Sequence, residues 1–177
     1  MSNHLNTCCG DLGAYFQWDE MYKMLDWLPG GWINDAHETI DRHANGRRRD
    51  KVAMIWESIN RECETYTFGQ MKRLTNKFAN VLKSVGVEKQ DRIVIFMDRI
   101  PEFYIAFLGT LKIGAIAIPL HATSNHDFLK NSLKDSKAKV MISQTYLRYG
   151  VSSIIPELFD LQHIIVVNRD NNDYELV

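Results

Sequence analysis

The residues best suited to ligand chemistry form a short polar run, His121-Ala122-Thr123-Ser124-Asn125, directly after the apolar segment AIAIPL. An imidazole, two hydroxyls and an amide stand there ahead of a segment with helical spacing, and the unpaired N–H groups of a helix start suit an anion. Ser124 acting as an ordinary helix cap explains part of the same pattern. Asp98-Arg99 has the equivalent position after IVIFM, where open α/β sheets present polar groups to ligands. The competing reading makes Asp98 the start of the next helix and Arg99 a partner in a surface ion pair. Arg47-Arg48-Arg49 is suited to phosphate, but its place between a predicted helix and a predicted strand, beside Asp50, favours a solvated loop.

Other chemistries find no support in the spacing. Neither GxGxxG nor GxxxxGK[ST] occurs, and Gly86, Gly109 and Gly114 stand alone, the first and last where helices should end. His37 and His43 are six residues apart, which at about 100° per residue sets them about 120° apart around a helix and argues against a zinc pair. Cys8, Cys9 and Cys63 form neither a paired framework nor a CxxC, so reduced thiols in the cytoplasm are expected. No Ser/His/Asp, Cys/His or paired-carboxylate arrangement emerges, so no catalytic residue and no metal ligand is assigned.

The composition sets the frame for these residues. Hydrophobic residues make up 45% and charged residues 24%, ordinary values for a globular domain. Lys plus Arg (21) nearly balances Asp plus Glu (22), which leaves no overall field for nucleic acid or an anionic membrane; an anionic ligand must be held locally. The amino terminus lacks the basic start and apolar run of a signal peptide, and the apolar stretch 105–120 is broken by Lys112 and reads as core rather than a membrane span.

Several elements must position the polar runs. Apolar residues at 18, 21, 22, 25 and 28 space a helix up to Pro29-Gly30-Gly31, and a second helix is expected from Asn34, as its cap, to about His43. Residues 51–57 and 64–68 read as a two-stranded element. Thr67 with Gln70 forms a capping box for a helix whose apolar face carries Met71, Leu74, Phe78, Val81, Leu82 and Val85 before Gly86. Apolar strands at 93–97, 115–118, 140–143 and 164–167 then alternate with helices at about 101–112, 124–135 and one more before the last strand. Strands apolar at nearly every position indicate a parallel sheet covered on both faces, so the fold class is α/β. The expected organisation is a helical extension over 1–50 and part of an α/β domain over 51–177.

The segment Tyr66-Thr67-Phe68, and then NKFANVLKSVGVEKQDRIVIFMDRIPEFYIAFLGTLKIGAIAIPL, resembles the opening of the adenylate-forming superfamily. YTF resembles its first core motif, and Leu111 to Ala115 through Pro119-Leu120 its second; the upstream AHETIDRHANGRRRDKVAMIWE is similar to the acetyl-CoA and medium-chain acyl-CoA synthetases. The resemblance runs over roughly residues 17–168. It implies an enzyme that activates a small carboxylate with Mg-ATP to an acyl-adenylate, releases diphosphate and passes the acyl group to CoA. It also implies a Ser/Thr/Gly-rich phosphate loop, adenine- and ribose-binding motifs and a catalytic lysine, none of which occurs before Val177. The chain alone is therefore expected to be inactive, with the missing remainder of the enzyme as a partner. By the same resemblance His121, Thr123, Ser124 and Asn125 lie near bound CoA, although the loop differs from the family's glycine- or phenylalanine-containing versions, and Arg148 meets a CoA phosphate. The alternative is a non-catalytic CoA- or nucleotide-binding or protein-interaction module.

Overall fold

The computed structural model describes residues 18–168 and 173–176; the side chains of 146, 148–150 and 173–176 are outside that description, as are Cys8 and Cys9. The chain divides into two compact units, 1–33 and 34–177.

In the first unit, α1 (Trp18–Met24) is shorter than the apolar spacing predicts. The indole of Trp27 explains the early stop: its Nε1 donates to the carbonyl of Tyr22 at 2.8 Å and satisfies an acceptor that a further helical turn would have used. Beyond it Leu28 and Trp32 pair across the Pro29-Gly30-Gly31 turn.

The second unit begins at Asn34, whose Oδ1 accepts the N–H of His37 at 3.1 Å, as expected of a cap, while its Nδ2 donates to the Leu111 carbonyl at 2.7 Å. A π-helical turn, His37–Asp41, runs into the short α2 (Arg42–Ala44). The wider turn changes the angular phase of the side chains, so the uniform 100° step used for His37 and His43 does not hold across it. β1 (Val52–Glu57) and β2 (Cys63–Thr67) pair antiparallel, with a bulge between Val52 and Met54.

Thr67 and Gln70 close the expected capping box at the start of α3 (Phe68–Ser84). Met71, Phe78, Ala79 and Leu82 are buried on its inner face. Thr75, absent from the predicted apolar face, is fully buried too, its hydroxyl donating to the Met71 carbonyl at 2.7 Å, while Val81 is 37% exposed. Against α3 packs α4 (Pro101–Lys112). Gly86 and Gly114, at φ +78° and +73°, end these two helices as the sequence suggests.

Five strands form the main sheet in the order β4-β3-β5-β6-β7: β3 (Arg92–Met97), β4 (Ile116–His121), β5 (Val140–Gln144), β6 (His163–Asn168) and β7 (Asp173–Leu176). The first four are mutually parallel; β7 pairs antiparallel with β6 and is not among the expected strands, because its DYEL, although it alternates polar and apolar, is only four residues long and directly follows the polar run NRDNN. Two cores flank the sheet. Ile93, Ile95, Met97, Val140 and Ile142 face Met71, Phe78, Leu82 and Ile105 of α3 and α4. Val94, Phe96, Met141 and Val166 face Leu129, Leu133 and Val151, from α5 (His126–Ser136) and α6 (Thr145–Ser152). Alternation of side chains along each strand thus sends successive apolar residues into opposite cores, which is why these strands are apolar throughout. β4 is an edge strand and carries Pro119, opposite Ile95 of β3.

Candidate functional site

The strand order places a crevice at the carboxyl ends of the strands. From β3 the chain turns to α4 on one face; from its neighbours β4 and β5 it turns to α5 and α6 on the other. Connections that diverge from adjacent strands leave the opening where doubly wound sheets take their ligands. At β3 and β5 the gap is bridged by the N–H of Asp98, which donates to Gln144 Oε1 at 2.7 Å.

Asp98 does not cap α4. The helix follows Ile100, which makes no side-chain cap, with Pro101 in its first turn supplying the helical φ; the Asp98 carbonyl accepts the Ile100 N–H at 2.9 Å. The Arg99 carbonyl accepts from Trp56 Nε1 at 2.8 Å, tying β1 to this connection. Among the described residues Arg99 makes no ion pair; instead it lines a 310 Å³ pocket with Met97, Phe103, Pro119, Leu120 and His121. An arginine and an imidazole at the rim of an otherwise apolar hollow suit a ligand that combines an anionic group with an alkyl chain.

The polar run begins on that rim. His121 is the last residue of β4, level with Met97 of β3. A turn follows, closed by the Ser124 N–H on the His121 carbonyl at 2.9 Å. Asn125, not Ser124, caps α5: its Oδ1 accepts the Phe128 N–H at 2.8 Å. Ser124 thus stands one residue ahead of the cap, in the turn that its own N–H closes. His121, Thr123 and Asn125 are exposed and Ser124 is half-buried. His126 Nε2 lies 2.9 Å from Ser153 Oγ, which sets the first turn of α5 beside the end of α6, the helix containing Arg148. The Arg148 side chain itself lies outside the described residues.

Sequence reasoning did not find Phe103 as a pocket wall or Gln144 as the bridge; both depend on which strands are neighbours. It also missed Ser143, whose hydroxyl is buried at the carboxyl end of β5 with no hydrogen-bond partner among the described residues. No group of three or more His, Cys, Asp or Glu that could hold a metal ion occurs among the described residues, and no described helix is long and apolar enough to cross a membrane.

A strand-end pocket of this kind lies where doubly wound α/β domains take small ligands. The model of the AMP-binding enzyme family matches residues 40–176, and the chain belongs to that family. It is 42% identical over 157 residues to the acetyl-coenzyme A synthetase of Bacillus subtilis (strain 168), an alignment covering 88% of this chain and 27% of that protein. It is 34% identical to the 3-hydroxypropionyl-coenzyme A synthetase of Metallosphaera sedula, over 93% of this chain and 27% of that protein. Among solved structures it resembles an acyl-CoA synthetase of Brucella canis, with a TM-score of 0.79 at 23% identity over 92% of this chain and 29% of that one, a likeness of fold. The chain thus spans about a quarter of the length of the relatives it matches.

Proposed function

We propose that this chain is the amino-terminal α/β portion of an AMP-forming acyl-CoA synthetase acting on a short- or medium-chain carboxylate. The identity of 42% to an acetyl-coenzyme A synthetase across most of the chain carries this reading. ATP, with Mg, supplies the adenylyl group that activates the carboxylate, and CoA supplies the accepting thiol.

In this reading the residues of the chain bind and orient CoA. The exposed His121 and Thr123 and the half-buried Ser124 supply donors, with Asn125 fixing the start of α5 behind them. Arg148 adds charge for a phosphate, and the pocket walls Met97, Phe103 and Leu120 receive the alkyl part. Protein-interaction or stand-alone CoA binding remains the competing function, and it differs in what the chain does when joined to the rest of a synthetase.

The test is a chimera in which these residues replace the matching quarter of the Bacillus subtilis enzyme. Acetate-dependent release of AMP and formation of acetyl-CoA are expected, with KM for CoA raised in the Arg148→Ala and His121→Ala chimeras. A folded chimera that binds CoA yet releases no AMP would refute the synthetase reading in favour of the binding module. The chain by itself is expected to give no carboxylate-dependent ATP–diphosphate exchange.

A further inference from the structure

A second pocket lies away from the strand ends, on the outer side of α3. It has a volume of 420 Å³ and is lined by Arg49, Lys72, Arg73 and Lys77, by three asparagines, 45, 76 and 80, and by Ala44 and Gly69. The lining contains four cations and no carboxylate. Residues 69, 72, 73, 76, 77 and 80 fall at intervals of three and one along α3 and so form one stripe of the helix. An ordinary solvated helix face intersperses acids for i,i+4 pairing, but α3 has no acidic residue anywhere in its sequence FGQMKRLTNKFANVLKS.

The opposite wall is held in place by the backbone. The Arg49 carbonyl accepts the Gly69 N–H at 2.9 Å, and the Lys51 carbonyl accepts the Phe68 N–H at 3.1 Å, so the arginine turn is fastened to the start of α3. Sequence reading takes this turn as a solvated loop; folding instead sets it across from three further cations. Among the described residues none of the four cations pairs with a carboxylate. Asp41, which shares Lys112 with the lining residue Asn76, is matched by that lysine at 2.6 Å.

Two of the asparagines present donors. Lys72 Nζ donates to Asn45 Oδ1, and Lys112 Nζ donates to Asn76 Oδ1 at 2.6 Å. An ammonium group only donates, so each amide must turn its oxygen to the lysine, which leaves its NH2 as the uncommitted end. The pocket therefore offers positive charge and N–H donors. Of the four cations, Lys72 lies near enough to Lys112 to help lower its pKa, although burial is the larger cause and Asp41 opposes it.

We propose that this pocket binds a small molecule carrying two or three linked phosphates, held by Arg49, Lys72, Arg73 and Lys77 and by the amide groups of Asn45 and Asn76. Three or four negative charges on adjacent phosphates match the four cations. The concave form and volume suit a small ligand better than a flat lipid surface. Free polyphosphate and the phosphate tail of a nucleotide present the same chemistry. The site shares no residue with the strand-end pocket, and the inference does not rest on the synthetase reading.

Calorimetry on the whole chain at low ionic strength tests it, with inorganic triphosphate, diphosphate, ADP and adenosine as probes. Saturable one-to-one binding of the phosphate compounds and none of adenosine is expected, weakening as salt rises. Arg73→Gln and Lys77→Gln, both at exposed positions, should each weaken triphosphate binding about fivefold while the circular dichroism is unchanged. His121→Ala should leave it unaltered. ADP binding well above diphosphate assigns the site to nucleotides and equal binding assigns it to polyphosphate, each in support. No saturable binding, binding indifferent to both glutamine variants, or tighter binding of a single-stranded oligonucleotide than of triphosphate overturns the proposal.

Discussion

Gly109→Ala should destabilise the fold, against the usual effect of that change in a helix. Gly109 lies inside α4, and helix propensity alone would favour alanine by about 1 kcal/mol. Here α3 and α4 cross so closely that an added Cβ would stand 2.9 Å from Phe78 Cδ1, 3.1 Å from the Thr75 carbonyl oxygen and 3.3 Å from Phe78 Cβ. The ring can tilt, but the carbonyl belongs to the backbone of a packed helix, so the helices must move apart. Overpacking costs about 1–3 kcal/mol, and because the Thr75 carbonyl cannot step aside the upper part of that range, about 2–3 kcal/mol, applies, which leaves a net loss of about 1–2 kcal/mol after the propensity gain. Urea unfolding followed by circular dichroism reads this directly, and the melting temperature should fall by about 2–4 °C for each kcal/mol. Phe78→Leu in the same background should recover only part of the strain, since the Thr75 contact persists. Gly46→Ala is the control: its Cβ would meet only the Arg42 and His43 carbonyls at 3.6 and 4.0 Å, so stability should be unchanged or slightly raised. A Gly109→Ala protein as stable as its parent would refute the close crossing of α3 and α4.

Asn125→Ala should cost about 1 kcal/mol by removing the cap of α5, while Ser124→Ala should cost much less; equal losses in urea unfolding would contradict the assignment of the cap. Asp41→Ala should cost about 3 kcal/mol because it strands the largely buried ammonium of Lys112, whereas Lys112→Met strands the Asp41 carboxylate, which is more open to water, and should be milder in the same assay. Hydrogen bonds from Lys130 and Lys134 lower the pKa of Glu157 from 4.5 to about 2. Its folded pKa lies below the unfolded one, so its stabilisation is present above pH 4.5 and lost as pH falls towards about 2. A carbon-13 titration should show the low midpoint, Glu157→Gln should flatten the acid dependence in that window, and added salt should reduce the effect.

Local signals carried much of this fold in the sequence. The Thr67/Gln70 box and the apolar spacing marked α3, and the runs IVIFM and VMIS marked strands buried on both faces. What escaped depends on partners distant in the chain. Thr75 is polar by type yet buried, because a threonine hydroxyl can return to the carbonyl four residues earlier. The π-helical turn at His37–Asp41 leaves no mark in an apolar pattern, and the four-residue alternation of β7 is too short to define a strand without its pairing with β6. The position of His121 to Asn125 at a strand end was legible, but the walls supplied by Arg99 and Phe103 required the order of the strands. Arg49 and Lys77 are likewise brought together only by the fold.

Pro119 gives the main sheet a direction of growth. The Ile116 N–H donates to the Asp91 carbonyl at 2.8 Å, towards β3, so alternation along β4 turns the next amides, at 117, 119 and 121, to the open side. Proline has no hydrogen to offer there, and the middle of that row is blank. A strand from another molecule that tried to zip onto this edge would lose its central bond, as would a misaligned copy of the same chain during folding at high concentration. Recruitment of additional strands is thus discouraged beside β4, and lateral extension of the sheet is left to the opposite border.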